Sequence, residues 1–352
     1  MRYDIYNLSE ALKTLKRVAA KKTTSTEMEC VLVEDGKAWA TDGIMTVSVA
    51  LDMAAAEPLL LTPKACDIIT SLNDQYADIS VKDNAVTIKS ARGKYKFAMG
   101  DTNAFPMPDR ISEGTQARIN AETLKTAMRS VAYAALTDSK SAKKEMTGIY
   151  FNGNGTNIDL VGCDGVRLAV YHIDCPAKIN MVLPMDVAKL IMSLKVDKDT
   201  DFDITVNGRL AKFAANEFEI YTLLYTGQYF DYKKIINTRA SASALNVDGE
   251  ELKGSLQRAI ACWDSALKVP LEMDMHENTL ELKMNTATIN FDEAIEAKSE
   301  LDIRVGVNPK LILEALNNLD GETQILWSGA VNPIFVSDEN TTALVLPVRL
   351  KN

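Results

Sequence analysis

The chain repeats itself, and that limits its folds more than any single motif does. "WATDGIMTVSV" at 39–49 has the layout of "VGCDGVRLAVY" at 161–171: an apolar strand, an Asp-Gly pair, then alternating apolar residues. The two pairs begin at Asp42 and Asp164, 122 residues apart. "LLLTPKACDIITSL" (59–72), "MVLPMDVAKLIMSL" (181–194) and "VGVNPKLILEALNNL" (305–319) each join a β-rich run, a proline and a helix-spaced apolar series. Their prolines, Pro63, Pro184 and Pro309, lie 121 and 125 residues apart. Proline in the first helical turn loses no needed N–H and presets φ, so each marks a strand-to-helix transition. "LSEALKTLKRV" (8–18), "INAETLKTAMRSV" (119–131) and "VDGEELKGSLQRAI" (247–260) are polar caps followed by amphipathic helices, with Leu-Lys at Leu12, Leu124 and Leu252. Each unit ends in period-two strands broken by turn signals, over 77–99, 201–224 and 322–350.

A chain of 352 residues thus divides into three α+β domains of about 117 residues, 1–116, 117–240 and 241–352, an ordinary domain size. The boundaries fall near the turn-rich "PDRISEGTQAR" and the small-residue run "NTRASASA". No catalytic group recurs at matching positions, so the repeat argues for a scaffold rather than an enzyme. A hydrophobic content of 47% and a charged content of 25% fit a globular protein. No run reaches the roughly 18 apolar residues of a membrane span, and Asp4 and Glu10 stand where a signal peptide is apolar, so a cytoplasmic protein is expected. Five scattered cysteines without CxxC spacing read as reduced thiols.

"GCDGVRLAV" (162–170) places a thiol, a carboxylate and an arginine close together, but Asp-Gly between alternating apolar runs is a hairpin signal. Catalysis there would need a base, and the chain has two histidines, His172 and His276, too few for a His-based metal or nucleophilic cluster. His172 continues the strand "LAVYHI". No GxGxxG, P-loop or HExxH is present, and no metal or cofactor is expected.

The net charge of −9 argues against a simple basic nucleic-acid binder, so local clustering decides that question. In the first helix Leu8, Leu12, Leu15 and Ala19 form an apolar stripe, while Lys13, Lys16 and Arg17 fall on another face, with Lys21 and Lys22 beyond. The second unit repeats the cations at Lys125 and Arg129, the third offers Lys253 and Arg258, and later helices add Lys64, Lys189 and Lys310. A solvated helix face explains any one of these. Recurrence across an acidic chain points to a non-specific phosphate-binding surface.

The three-fold repeat, "CDGVRLAV", "GQYFDYKKII" and the C-terminal "LVLPVRL" together resemble the bacterial sliding clamp, the beta subunit of DNA polymerase III, over the whole chain. The resemblance implies the DNA-clamp fold: three domains, each of two helices packed on antiparallel sheets, with two chains head to tail in a ring. Helices would line the hole, which reconciles a basic inner wall with an acidic exterior. Inner lysines would then make weak, salt-sensitive, sequence-independent contacts to duplex DNA that permit sliding. It also implies a non-catalytic processivity factor that holds the replicative polymerase, the clamp loader and repair proteins by short peptide motifs. Their pocket would be lined by Met146, Cys163, Gly165, Val166, Arg167, Leu168, Phe230, Ile235, Pro333, Leu344, Leu346, Pro347, Val348 and Arg349. Strand periodicity puts Leu344, Leu346 and Val348 on one face, with Arg167 and Arg349 at the rim. The loop "DSKSAKKEM", with Lys140, Lys143 and Lys144, occupies the place of a family DNA-contacting loop.

Departures from the family fall at Val166 (usually histidine), Phe230 (usually proline), Ala65 (usually arginine) and the added Lys351-Asn352. Phe230 is expected to narrow one side of the pocket. For ring closure, the basic strand "ARGKYKF" sets Arg92, Lys94 and Lys96 against Tyr95 and Phe97, while "NFDEAIEAKSE" carries Asp292, Glu293 and Glu296. Unlike charges on two exposed edges suit pairing between chains. Two other readings stay open: a divergent clamp of a mobile element serving a different polymerase, and a hydrolase or transferase on repeated α+β domains. Metal-dependent turnover lost on mutating Asp164 would mark the latter.

Overall fold

A computed structural model describes residues 1–52, 57–138, 140–263, 269–286, 289–319 and 323–350. Ser139 of the expected DNA-contacting loop and the added Lys351-Asn352 lie outside the described residues. The chain forms two compact units, Met1–Glu122 with Lys189–Leu224, and Thr123–Ala188 with Tyr225–Asn352. The divisions fall inside helices Ala121–Ala132 and Met185–Ser193.

The first unit holds an eight-stranded antiparallel sheet, in the order Leu59–Leu61, Val31–Glu34, Lys37–Thr41, Met45–Ala50, Phe218–Leu223, Leu210–Ala215, Asp201–Asn207 and Thr115–Asn120. A second sheet of this unit orders Arg2–Asp4, Tyr76–Lys82, Ala85–Lys89 and Lys94–Ala98. The second unit repeats the eight-strand order with Asn180–Pro184, Gly148–Gly153, Ile158–Cys163, Arg167–Ile173, Thr341–Val345, Ile334–Ser337, Gln324–Trp327 and Ser243–Val247. It continues through Asn290–Ser299, Thr279–Asn285, Leu271–His276 and Arg304–Val307. Each eight-strand block joins a hairpin series from one repeat to the closing strands of the next, which is why strands far apart in sequence are neighbours.

Local chemistry sets these elements. Asp4 caps helix Ile5–Leu15 by accepting from the Asn7 N–H at 3.0 Å, and Asp248 caps helix Gly249–Cys262 by accepting from the Glu251 N–H at 2.8 Å. Pro63 and Pro309 begin helices Pro63–Ser71 and Pro309–Asn317, as their spacing predicts. Pro184 instead closes a strand, and its helix starts at Met185. The two-residue turns Asp83-Asn84 (φ 52° and 52°) and Glu277-Asn278 (φ 48° and 65°) have the left-handed geometry whose twist matches paired strands. Among the described residues no helix is long and apolar enough to cross a membrane.

Two sequence expectations change. Helix Ile5–Leu15 ends before Lys16, Arg17 and Ala19, so these two cations and the last residue of the apolar stripe follow the helix rather than continuing its faces. The acidic strand Asn290–Ser299 is not a free edge throughout, because it is longer than its neighbours and serves two of them. Asn290–Glu296 pairs with Thr279–Asn285, and Ala297–Ser299 pairs with Ser243–Val247. The second side of Asn290–Glu296 carries no strand among the described residues. Lys94–Ala98 ends its sheet with one strand neighbour, presenting Lys94 and Lys96 to solvent and half-burying Tyr95 and Phe97, in the expected alternation.

Candidate binding cleft and cation faces

The Asp164-Gly165 turn is built by hydrogen bonds rather than arranged for catalysis. Asp164 Oδ1 accepts from the Val166 N–H at 2.9 Å and the Arg167 N–H at 3.0 Å, while Oδ2 accepts from Arg167 Nε at 2.9 Å. Gly165 has φ 95°, and a β-carbon there would meet nothing within 4 Å, so glycine serves the backbone conformation and not the space. Burial pushes the neighbouring Cys163 thiol up to about 11, which keeps it protonated and non-nucleophilic at neutral pH.

Above the turn lies a hollow of about 240 Å³ lined by Lys143, Glu145, Met146, Cys163, Gly165, Gln228, Phe230 and Ile235. Its floor is a packed cluster in which Met146, Cys163, Leu168 and Leu344 meet Tyr229, Tyr232 and Phe335, with Phe230 laid against it. The Phe230 ring stacks on Tyr229 (centroids 5.0 Å apart), and Tyr229 stacks on Tyr150 (4.5 Å). Val166, Ile235, Leu346 and Val348 are exposed apolar side chains. The Leu346 N–H donates to the Val166 carbonyl at 2.9 Å, which brings two of them together. Pro333 and Pro347 are half-buried and Arg349 is exposed.

The expected lining divides accordingly. Met146, Cys163, Gly165, Phe230 and Ile235 line the hollow, whereas Leu168 and Leu344 lie beneath it as core. Leu344, Leu346 and Val348 do not share one strand face, because the strand stops at Val345 and Pro347 has no N–H to continue the ladder. Arg167 is not a rim residue: its side chain is 12% exposed, held by Asp164 and Glu314, with the guanidinium 5.3 Å from the Tyr133 ring centre. The sequence reading missed Glu145 and Gln228 and assigned Lys143 to DNA. Glu145 and Gln228 lie within "DSKSAKKEM" and "GQYFDYKKII", but only the fold turns them toward the hollow.

The cations are placed unit by unit. In the first, Lys13, Arg17, Lys21, Lys22, Lys64 and Lys189 are exposed, with Lys13 Nζ 2.6 Å from Glu10, Lys16 paired with Asp67, and Arg17 donating to Ser193 Oγ at 3.0 Å. In the second, Arg129, Lys140, Lys143, Lys144 and Lys310 are exposed, and Lys310 Nζ lies 5.0 Å from the Trp263 ring centre. Lys125 departs from the expected solvated face, being 6% exposed. The edge cations Arg92 and Lys94 are exposed, as are Asp292 and Glu296. Glu293 is engaged within its own unit, its oxygens 2.6 and 2.9 Å from Arg258. Among the described residues Asp274, His276 and Glu281 bring ligand atoms within 4.8 Å of one another, but Glu281 is bound by Lys283.

No family model matches the chain. It is 27% identical over 275 residues to the beta sliding clamp of Helicobacter pylori strain J99, covering 75% of this chain and 71% of that one. It is 21% identical over 357 residues to the beta sliding clamp of Pseudomonas aeruginosa, covering 95% and 93%. Among solved structures, the DNA polymerase sliding clamp of Bacillus subtilis matches with a TM-score of 0.91 and 19% identity, over 99% of each chain. The P. aeruginosa clamp bound to griselimycin matches with a TM-score of 0.90 and 18% identity, again over 99% of each. The chain has the sliding-clamp fold.

Proposed function

We infer that this chain is a DNA sliding clamp of the polymerase III beta type, a non-catalytic ring that holds a polymerase on duplex DNA. The observation that carries the reading is the hollow beside the Asp164-Gly165 turn: a small apolar recess, a packed floor, and exposed Val166, Ile235, Leu346 and Val348 for a peptide's hydrophobic anchors. The curated relatives named beta sliding clamp support it. The occupants would be short motifs of the replicative polymerase, the clamp loader and repair proteins in the cytoplasm.

The domains would be 1–116, 117–240 and 241–352, and the sheets support two chains per ring. Met45–Ala50 pairs with Phe218–Leu223 and Arg167–Ile173 pairs with Thr341–Val345, each joining one repeat to the next. By the same rule Asn290–Glu296 of the third repeat seeks a closing strand, and Lys94–Ala98 of the first is a closing strand with an open side. Pairing these between two chains completes the pattern and covers two exposed edges. Lys94 and Lys96 would face Asp292 and Glu296 of the other copy. Lys13, Arg17, Lys21, Lys22, Lys64, Lys189, Arg129, Lys140, Lys143, Lys144 and Lys310 would supply the weak phosphate contacts, with Lys16 secondary, while the buried Lys125 would make none.

The test loads the protein onto nicked circular DNA with a clamp loader. Protein that survives a high-salt wash on the circle and is released when the DNA is linearised is held topologically, as proposed. Equal salt-sensitive retention on both forms would refute the ring.

A further inference from the structure

Gln228–Ile236 supplies one wall of the hollow through Gln228, Phe230 and Ile235, yet its helix, Tyr232–Ile236, is only five residues long and has no side-chain N-cap bond. So short a helix does not hold itself in water. Something else fixes that wall.

The geometry points to Tyr232 and Asp159 as positioning residues that preform the cleft, a role that rests on the cleft being the partner site. The Tyr232 hydroxyl donates to Asp159 Oδ2 at 2.5 Å and accepts from Asn152 Nδ2 at 2.8 Å. Asp159 Oδ1 lies 3.0 Å from His172 Nδ1, and Lys233 Nζ lies 3.6 Å from Oδ2. The carboxylate, with a side chain 13% exposed, therefore gathers the wall's first helical residues onto the sheet without lining the hollow itself. Strand Ile158–Cys163 carries this anchor near one end and Cys163, part of the cleft's lining, at the other. One strand thus sets the distance between wall and floor. Ring packing supports the bond, since Tyr232 meets Tyr150 edge-on (6.3 Å, 80°) while Tyr229 and Phe230 continue the stack. Burial and the bond to Asp159 raise the Tyr232 phenol well above its ordinary range, so it remains a donor at any working pH.

A preformed wall spares a ligand the cost of ordering it. Releasing the wall lowers the fraction of protein competent to bind, which appears as slower association, while contacts made once bound, and hence dissociation, stay the same. Loss of a direct contact does the opposite.

The experiment follows binding of a fluorescein-labelled pentapeptide with leucines at positions three and five by stopped flow, together with hydrogen exchange of the 228–236 amides. Tyr232→Phe, which keeps the ring and removes the hydroxyl, should slow association about five- to tenfold, leave dissociation within about twofold, and speed exchange across 228–236. Asp159→Asn, which keeps an acceptor for the phenol, should restore association to within about twofold of the parent. Unchanged association and exchange in folded Tyr232→Phe, or a loss confined to dissociation, overturns the positioning role while the cleft reading stands. A parent protein that binds no such peptide overturns both. If Tyr232→Phe fails to fold, Asp159→Ala must give the same association and exchange signature.

Discussion

Replacing Leu346 by alanine should weaken peptide binding modestly, and the structure says why the effect is not larger. Leu346 is 39% exposed in the chain on its own, so most of its surface is already covered before any partner arrives. Full burial of a leucine side chain is worth about 1.5–3 kcal/mol. A peptide that covers the remaining 39% therefore gains about 0.6–1.2 kcal/mol from this residue, a factor of roughly three to eight in Kd. The assay is calorimetry with the leucine pentapeptide, with sedimentation confirming that the variant keeps the parent's assembly. Val331→Ala is the control, because Val331 is 79% exposed and is not among the expected cleft residues, whereas Leu346, though outside the hollow's own lining, is hydrogen-bonded to the turn through the Val166 carbonyl; the control should bind as the parent does. Undiminished affinity in a folded Leu346→Ala protein would remove Leu346 from the site. An equal loss in Val331→Ala would show that the peptide recognises general surface apolarity.

The double change Lys94→Glu with Phe97→Ala should convert a dimer into monomers at micromolar concentration, because it reverses a charge on the open edge strand and removes a half-buried aromatic; an unchanged sedimentation coefficient would refute this interface. Removing both Lys21 and Lys22 should reduce the dependence of log K on log salt by about 1.8 on duplex DNA, whereas buried Lys125→Met should leave the slope unaltered; equal slopes for all three proteins would contradict the placement. Burial raises Cys30 and Cys163 to about 11 and Cys66 to about 12, from 9.0. These thiols ionise more easily unfolded, so the stability they contribute is full below pH 9 and is lost as pH rises toward 11–12. Thermal melting from pH 8 to 11 should show a fall in Tm that Cys66→Ala reduces, and a parallel fall in both proteins would assign it elsewhere.

Most of the architecture was legible because it is written three times. Asp-Gly recurs in two copies, and the strand-to-helix prolines and the Leu-Lys helices in three, at intervals of 112 to 128 residues, and recurrence raises weak local signals above chance. Side-chain environment was less legible. Lys125 matches the exposed cation pattern in sequence and is buried, because its exposure depends on tertiary packing as well as helical spacing. Arg167 reads as a free rim arginine until Glu314, far along the chain, is brought to it. The acidic strand reads as an edge along its whole length whereas only Asn290–Glu296 has an open side, because period-two alternation reports faces and says nothing of how many neighbours a strand has.

The repeat also allows the two matching turns to be compared bond by bond. Asp42 Oδ1 accepts from the Ile44 and Met45 N–H groups at 2.8 Å each, Leu223 N–H donates to the Ile44 carbonyl at 2.9 Å, and Gly43 has φ 85°. These are the counterparts of the bonds around Asp164, Val166, Leu346 and Gly165. One difference is a methyl group. A β-carbon on Gly43 would lie 3.0 Å from Met28 Cε, while one on Gly165 would meet open space. Met28 occupies in "TEME" the place that Met146 occupies in "KEMT", yet Met28 lies over its turn and Met146 lines the hollow beside its own. Repetition supplies the same backbone turn twice, and the two copies differ in where the equivalent methionine packs: Met28 against Gly43, Met146 along the hollow beside Gly165.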